Sequence, residues 1–220
     1  MALHWLLIIG CGWAPGAAAP AGCPADMARI AGADGPFCIH RHELRVEGSL
    51  GPKDHGARWP DSEVPVPRLV SAPGQTPSRG VSWYQAEAAC RSAGMALCTS
   101  AQWEDACDGQ PGPGGRAHPV AAGARGSAAC NIRRLGTKDP SPTGSFPECV
   151  TPEGVFDLEG NVWEWTDPRR TDATGRPLID KRGGAHDTGE EAPCAKAAVG
   201  THDPAFAGSI GFRCCRPLAP

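Results

Sequence analysis

Aromatic residues are scarce. Phe, Trp and Tyr make up 6% of the 220 residues, and there is one tyrosine. A core built from this chain cannot rest on many large rings and needs another means of closure. Basic runs are missing too. "DPRRT" and "DKRGG" are too short for a phosphate-tracking patch, and the formal net charge is -3. Nucleic-acid binding is therefore not expected. The one apolar run, "LHWLLIIGCGW", is too short to cross a bilayer as a helix. No C-x-x-C occurs anywhere, and the cysteine spacings fit no zinc template.

What the chain does have is cysteine, glycine and proline. Eleven cysteines far exceed cytosolic usage and point to an oxidising compartment. Residues 1–22 read as an export segment: the apolar run precedes "APGAAAPAG", with an A-x-A-like cleavage site near Ala17 to Ala19. The usual basic start is replaced by a single histidine, His4. "IIGC" at Ile8 to Cys11 also resembles a bacterial lipoprotein box, which makes Cys11 a candidate for lipidation. Lipid anchor and cleaved signal both remain open. Setting Cys11 aside leaves ten cysteines, an even number suited to full pairing. Disulfides are expected in preference to a metal cluster. Cys23 and Cys38 bracket a Gly/Asp/Pro turn and are placed to staple it.

Gly 29 and Pro 23 imply many turns and little long regular structure. Residues 23–220 are expected to form a single domain. Regular structure is clearest at 81–108. "VSWYQAEAACRSAG" predicts a helix with Ser82 as N-cap, Gln85 as its capping-box partner and Gly94 at the stop. "LCTSAQWEDACDG" repeats that grammar with Thr99, Gln102 and Gly109, and sets Trp103, Ala106 and Cys107 on one face. "FCIHRHELRV" alternates like a strand. On it His40 and His42 share a face and form one candidate metal pair. Residues 47–80 read as loop. Short strand-like pieces follow Cys130, among them "GSFP", "GVFDL" and "NVWEWT". The fold class is α+β with two short helices and much irregular structure.

"VSWYQAEAACRSAG", "LCTSAQWEDACDG", "GVFDLEGNVWEWT", "RGGA" and "IGFRCC" occur in that order. Together they resemble the formylglycine-generating enzyme family, whose domain is also called the sulfatase-modifying factor domain, from about Met27 to Arg216. The resemblance implies a fold related to C-type lectins. It implies a disulfide between Cys107 and Cys214, and a second disulfide through Cys194 to an unnamed partner. Adjacent Cys214 and Cys215 are expected to reach different partners, because a vicinal bridge is strained.

Oxidases of that family bind copper(I) through two cysteines a few residues after R-G-G-S. Copper(I) selects such thiolates. Here Arg182-Gly183-Gly184 is followed by Ala185, His186, Asp187 and Thr188. Thr188 stands at or near the first cysteine position, and Cys194 matches the structural disulfide instead. Copper and oxidase activity are therefore not expected. His186, Asp187 and His202 are a candidate replacement site for zinc or iron, against the alternative of solvated loop residues. The resemblance also implies a calcium ion held by Asp157, the carbonyls of Gly160 and Val162, and Glu164. The alternative is a plain strand with Glu164 paired to an arginine. A second family calcium position begins at Asn131-Ile132, with Asp139 as a weak later ligand.

The expected protein is an exported, calcium-stabilised, monomeric binding or structural module for a protein or glycan ligand. It would be periplasmic, outer-membrane-anchored or extracellular, touching a membrane only through a lipid anchor. The alternative is a divergent metal-dependent oxidoreductase.

Overall fold

The computed structural model describes residues 22–51, 66–108, 129–132, 139–167, 173, 178–188, 194, 197–198 and 208–218. Both helices form where their caps predict. In α1 (Trp83–Ser92) the Ser82 hydroxyl accepts from the Gln85 amide at 3.2 Å, and Gln85 Oε1 accepts from the Ser82 amide at 3.1 Å. These bonds satisfy backbone donors that a helix start leaves unpaired. Thr99 and Gln102 make the same reciprocal pair, at 3.1 and 3.0 Å, ahead of α2 (Ser100–Asp108).

The strands are short. β1 (Met27–Gly32) and β2 (Gly35–His40) form an antiparallel hairpin. β10 (Cys214–Pro217) pairs with β2 on one edge and β5 (Ala96–Leu97) on the other, giving the order β1-β2-β10-β5. β6 (Trp163–Thr166) is the centre of a second sheet. It lies antiparallel to β7 (Asp180–Arg182) and parallel to β9 (Ile210–Phe212), with β8 (Ala197–Ala198) outside β7. β3 (Arg45–Glu47) and β4 (Arg68–Val70) make a separate two-stranded ribbon. Two expectations change here. The stretch 47–80 holds β4, whose Arg68-Leu69-Val70 has too few residues to show periodicity. "FCIHRHELRV" is not one strand: β2 stops at His40, and the chain bends before resuming at Arg45.

Two apolar clusters form the interior. One gathers Ile30, Phe37, Ile39, Trp103, Cys107, Leu158 and Cys215. The other gathers Trp83, Ala86, Cys90, Trp165, Phe212 and Cys214 around α1. Five disulfides replace the missing aromatic bulk: Cys23–Cys38, Cys90–Cys214, Cys98–Cys215, Cys107–Cys194 and Cys130–Cys149. The hairpin staple Cys23–Cys38 is present, and Cys214 and Cys215 reach different partners. The expected Cys107–Cys214 link is not formed. Successive residues of a strand point to opposite faces. Cys214 therefore faces α1 and Cys90, while Cys107 lies in the other cluster and takes Cys194 as its partner.

Non-reducing peptide mapping should recover Cys90 joined to Cys214 and Cys107 joined to Cys194. Replacing Cys90 and Cys214 together by alanine should cost about 2–5 kcal/mol in denaturant unfolding, since the bond closes a long loop. Recovery of a Cys107–Cys214 peptide would contradict the pairing.

Candidate functional site

The loop entering β6 is tightly specified. Asp157 and Asn161 adopt positive φ, 58° and 55°, a conformation that Asp and Asn tolerate better than most residues. Gly160 cannot be replaced cheaply: a Cβ there would stand 2.2 Å from the Asn131 carbonyl oxygen. Gly183, in the turn after β7, is equally confined, 2.7 Å from the Leu158 carbonyl oxygen. The Gly160 amide donates to the Gly183 carbonyl at 2.9 Å, so the two loops are tied backbone to backbone.

Glu164 projects from β6 into the interior and is 1% exposed. Its Oε1 accepts from Arg213 Nε and its Oε2 from Trp103 Nε1, both at 2.8 Å. The arginine pairing kept open from the sequence is thus present. Arg213 is wholly buried and also donates to the carbonyls of His40 (3.2 Å), Arg41 (2.9 Å) and Phe156. Glu43 joins from the bend after β2. Its Oε1 accepts from the Val162 amide at 3.0 Å, and its Oε2 from Asn161 Nδ2. Asn161 Oδ1 in turn accepts from Asn131 Nδ2 at 2.9 Å and the Ser141 amide at 2.8 Å. Asp157 Oδ2 accepts from the Gly144 amide at 2.7 Å.

Three buried carboxylates therefore share one guanidinium. Burial pushes the Glu43 carboxyl well above its ordinary range, and Asp157 and Glu164 add to the rise. Burial raises Asp157 to about 6. Burial also raises Glu164, with Arg213 pulling the other way. Burial pushes all three toward the neutral form and Arg213 opposes it; a divalent cation beside them would favour the ionised forms. Among the described residues no three His, Cys, Asp or Glu side chains converge to hold a metal. An ion in the 157–164 loop would thus take most of its shell from backbone carbonyls and from the remaining lone pairs of Asp157 and Glu164. Glu43 was not singled out in the sequence. It sits in "RHELR" between Arg41 and Arg45 at alternate positions, so nothing local sets it apart. Asn131 gives its side-chain amide to Asn161, and Asp139 pairs with Arg79 at the surface at 2.7 Å.

His186 lies beside this loop, 3% exposed. The Asn161 carbonyl receives both its backbone amide, at 2.9 Å, and its Nδ1, at 3.1 Å. A carbonyl oxygen only accepts, so Nδ1 carries the proton and Nε2 of the neutral ring keeps its lone pair. Asp187 is exposed. Thr188 closes the turn, its Oγ1 accepting from the Ala185 amide at 2.8 Å. His202 and Cys11 lie outside the described residues.

His40 and His42 do not form a metal pair. The break at Arg41 turns them apart. His40 Nδ1 accepts from the Cys214 amide at 3.2 Å, whereas the His42 ring stacks on Phe156 at 4.9 Å. Burial lowers both to about 4, and Arg213 adds to that lowering.

A profile for the Sulfatase-modifying factor enzyme 1-like domain matches residues 38–218. Hercynine oxygenase of Mycolicibacterium smegmatis is 35% identical over 117 residues, 52% of this chain and 27% of that protein. Formylglycine-generating enzyme of Bos taurus is 28% identical over 194 residues, 75% of this chain and 50% of that protein. The chain thus spans about a quarter to a half of these curated relatives. Among solved structures, CarF superposes with a TM-score of 0.60 at 19% identity, covering 89% of this chain and 99% of CarF. PvdO from Pseudomonas aeruginosa gives 0.53 at 22%, covering 84% and 81%.

The buried histidines set a sign for acid stability. The unfolded chain takes up protons near the ordinary histidine value of 6.5, the folded chain only near 4. Stability is therefore lost as pH falls from 6.5 to 4. The groups facing His42 are Arg41 and Arg213. His42→Phe keeps a ring on Phe156 and removes the proton site. Its loss of stability between pH 6.5 and 4.5 should be smaller than the parent's by up to about 2 kcal/mol after allowance for solvent screening. Equal losses in pH-resolved urea unfolding would refute this.

Proposed function

The chain belongs to the Sulfatase-modifying factor enzyme 1-like domain family, and we propose that it serves there as a calcium-stabilised binding or structural module without the copper-dependent oxidase chemistry. The observation that carries this is the state of its sulfur. All ten cysteines among the described residues are held in five disulfides. A copper(I) centre needs a pair of thiolates. The turn after Arg182 offers instead Ala185, a buried His186 and the Thr188 hydroxyl, and Cys194 is committed to Cys107. The same disulfides mark a protein of an oxidising, exported compartment. With copper(I), oxygen and a reductant supplied, the protein should convert no C-x-P-x-R peptide to the aldehyde. Aldehyde formation above the copper-only background, read by mass spectrometry, would overturn the proposal.

Calcium belongs to the same proposal. Asp157, the carbonyls of Gly160 and Val162, and Glu164 would hold it, and the grouping of buried acidic side chains at Glu43, Asp157 and Glu164 supports it. The ion would supply rigidity to the loop that carries β6. Millimolar calcium should raise Tm over the chelated protein, by mass action on the folded state. Asp157→Ala should abolish the rise, and an unchanged Tm for the parent would remove calcium from the proposal.

A second reading, a divergent metal-dependent oxidoreductase, is favoured by the 35% identity to a hercynine oxygenase and by the lone pair at His186 Nε2. The two readings separate on metal content and oxygen uptake. Stoichiometric iron or zinc that disappears in His186→Ala, with oxygen consumption, would select the second.

A further inference from the structure

One of the five disulfides differs from the rest in exposure. Nine of the ten cysteines in these bonds are at most 3% exposed, and Cys23, ahead of β1, is the tenth and is half-buried. Its partner Cys38 lies within β2 and has no exposure. The bond spans only 15 residues, whereas those of Cys90, Cys98 and Cys107 span 124, 117 and 87. Cys130–Cys149 spans 19, but both of its cysteines are buried.

The sheet sets two arginines around this same bond. Residues directly opposed on adjacent strands share a face. Cys38 is opposed by Arg29 of β1 on one side and by Arg216 of β10 on the other. Arg29 is exposed, so the three stand on the outer face, while Ala28 and Ile30 fill the inner one. Arg216 Nη2 donates to the Gly22 carbonyl at 3.0 Å, which brings its guanidinium to the residue before Cys23. Asp26, the acidic residue of this turn, is held toward His40, 3.8 Å from Nε2. Neighbouring guanidinium groups lower a thiol pKa, and a low pKa makes a thiolate a better leaving group.

We propose that Cys23–Cys38 is a thiol–disulfide exchange site, open to an external dithiol while the other four bonds stay closed. A thiolate of the dithiol attacks Sγ of Cys23, the more exposed residue of the pair. A new S–S bond forms there, the Cys23–Cys38 bond breaks, and its electron pair leaves on Cys38 Sγ between Arg29 and Arg216. The second thiol of the dithiol then displaces Cys23, and the dithiol departs as a disulfide. Two electrons and two protons pass from it to the cysteine pair. A short loop constrains the unfolded chain least, and the six residue pairs of β1 and β2 remain, so the reduced protein keeps its fold. The site uses no residue of the loop after Arg182, so it holds whether that loop binds or reacts.

The test uses the full chain under native conditions, with any free thiol first blocked by N-ethylmaleimide. Timed exposure to dithiothreitol, alkylation with iodoacetamide and peptide mass spectrometry then give the opening rate of each bond. Cys23 and Cys38 should be labelled at least tenfold faster than any other pair, with tryptophan fluorescence unchanged. With glutathione in place of the dithiol, the trapped mixed disulfide should sit on Cys23. Arg216→Gln should slow the opening at least threefold, and Arg216→Lys, which keeps the charge, should restore most of the rate. Arg29→Gln changes an exposed side chain, so this second variant should stay folded and should slow the opening at least twofold. Labelling of all pairs together, earlier opening of another bond, a mixed disulfide on Cys38, or rates unmoved by both glutamine variants would overturn the proposal.

Discussion

The ion pair between Arg213 and Glu164 holds the fold together, because it stands where the two apolar clusters and both sheets meet. A guanidinium with no exposure is costly to bury, and it is tolerated only when its donors are spent on fixed acceptors. Arg213 spends them on three segments: Glu164 in β6, the carbonyls of His40 and Arg41 at the end of β2, and that of Phe156 before the 157–164 loop. Trp103 of α2 completes the carboxylate from the other side. Losing either charge would strand its partner in the interior, a loss of about 3–5 kcal/mol for buried pairs. The WEW strand and the GFR strand therefore lie side by side for a reason of charge as well as of backbone pairing.

Around that pair the chain buries two further carboxyl groups, Glu43 and Asp157. Glu43 bonds the Val162 amide and the Asn161 side chain, so it acts as a template for the loop. Its cost is the rise in its own proton affinity. A protonated Glu43 would still accept through one oxygen. A cation in the loop would let the acidic groups stay ionised. Either way the geometry of 157–164 is over-determined by neighbours, which is how two residues other than glycine remain at positive φ.

Local grammar was readable in the sequence and long-range pairing was not. Capping boxes at Ser82 and Thr99 involve residues three apart, so the pattern that predicts them is the pattern that forms them. The divergence of Cys214 and Cys215 followed from the strain of a vicinal bridge. Which cysteine each meets did not, because that depends on which cluster each face of β10 covers. Glu43 reaches Val162 across 119 residues, and no local period marks it. His40 and His42 misled for a related reason. Alternation holds only while a strand continues, and the demand of Arg213 for the His40 and Arg41 carbonyls bends the chain between them. At the 157–164 loop the sequence singled out Glu164, but the arginine that pairs with it is far along the chain.

The two halves of the "RGGAHDT" stretch answer to different constraints. Arg182 and the glycines belong to the frame: Gly183 fits only because nothing projects toward Leu158 and Trp103, and its carbonyl receives the Gly160 amide. A change there propagates into the 157–164 loop. Asp187 is exposed, and the turn closes past it through the Thr188 amide and hydroxyl on Ala185. His186 stands between these regimes, anchored by its amide and Nδ1 on the Asn161 carbonyl. A thiolate pair could be lost from such a turn without disturbing the fold. Disulfides that fasten α1, α2 and β10 from outside the turn make that loss still easier to bear. The frame nevertheless reaches past Gly184: Ala185 is buried, and His186 is buried and bonded to the Asn161 carbonyl, so both belong to it as the glycines do.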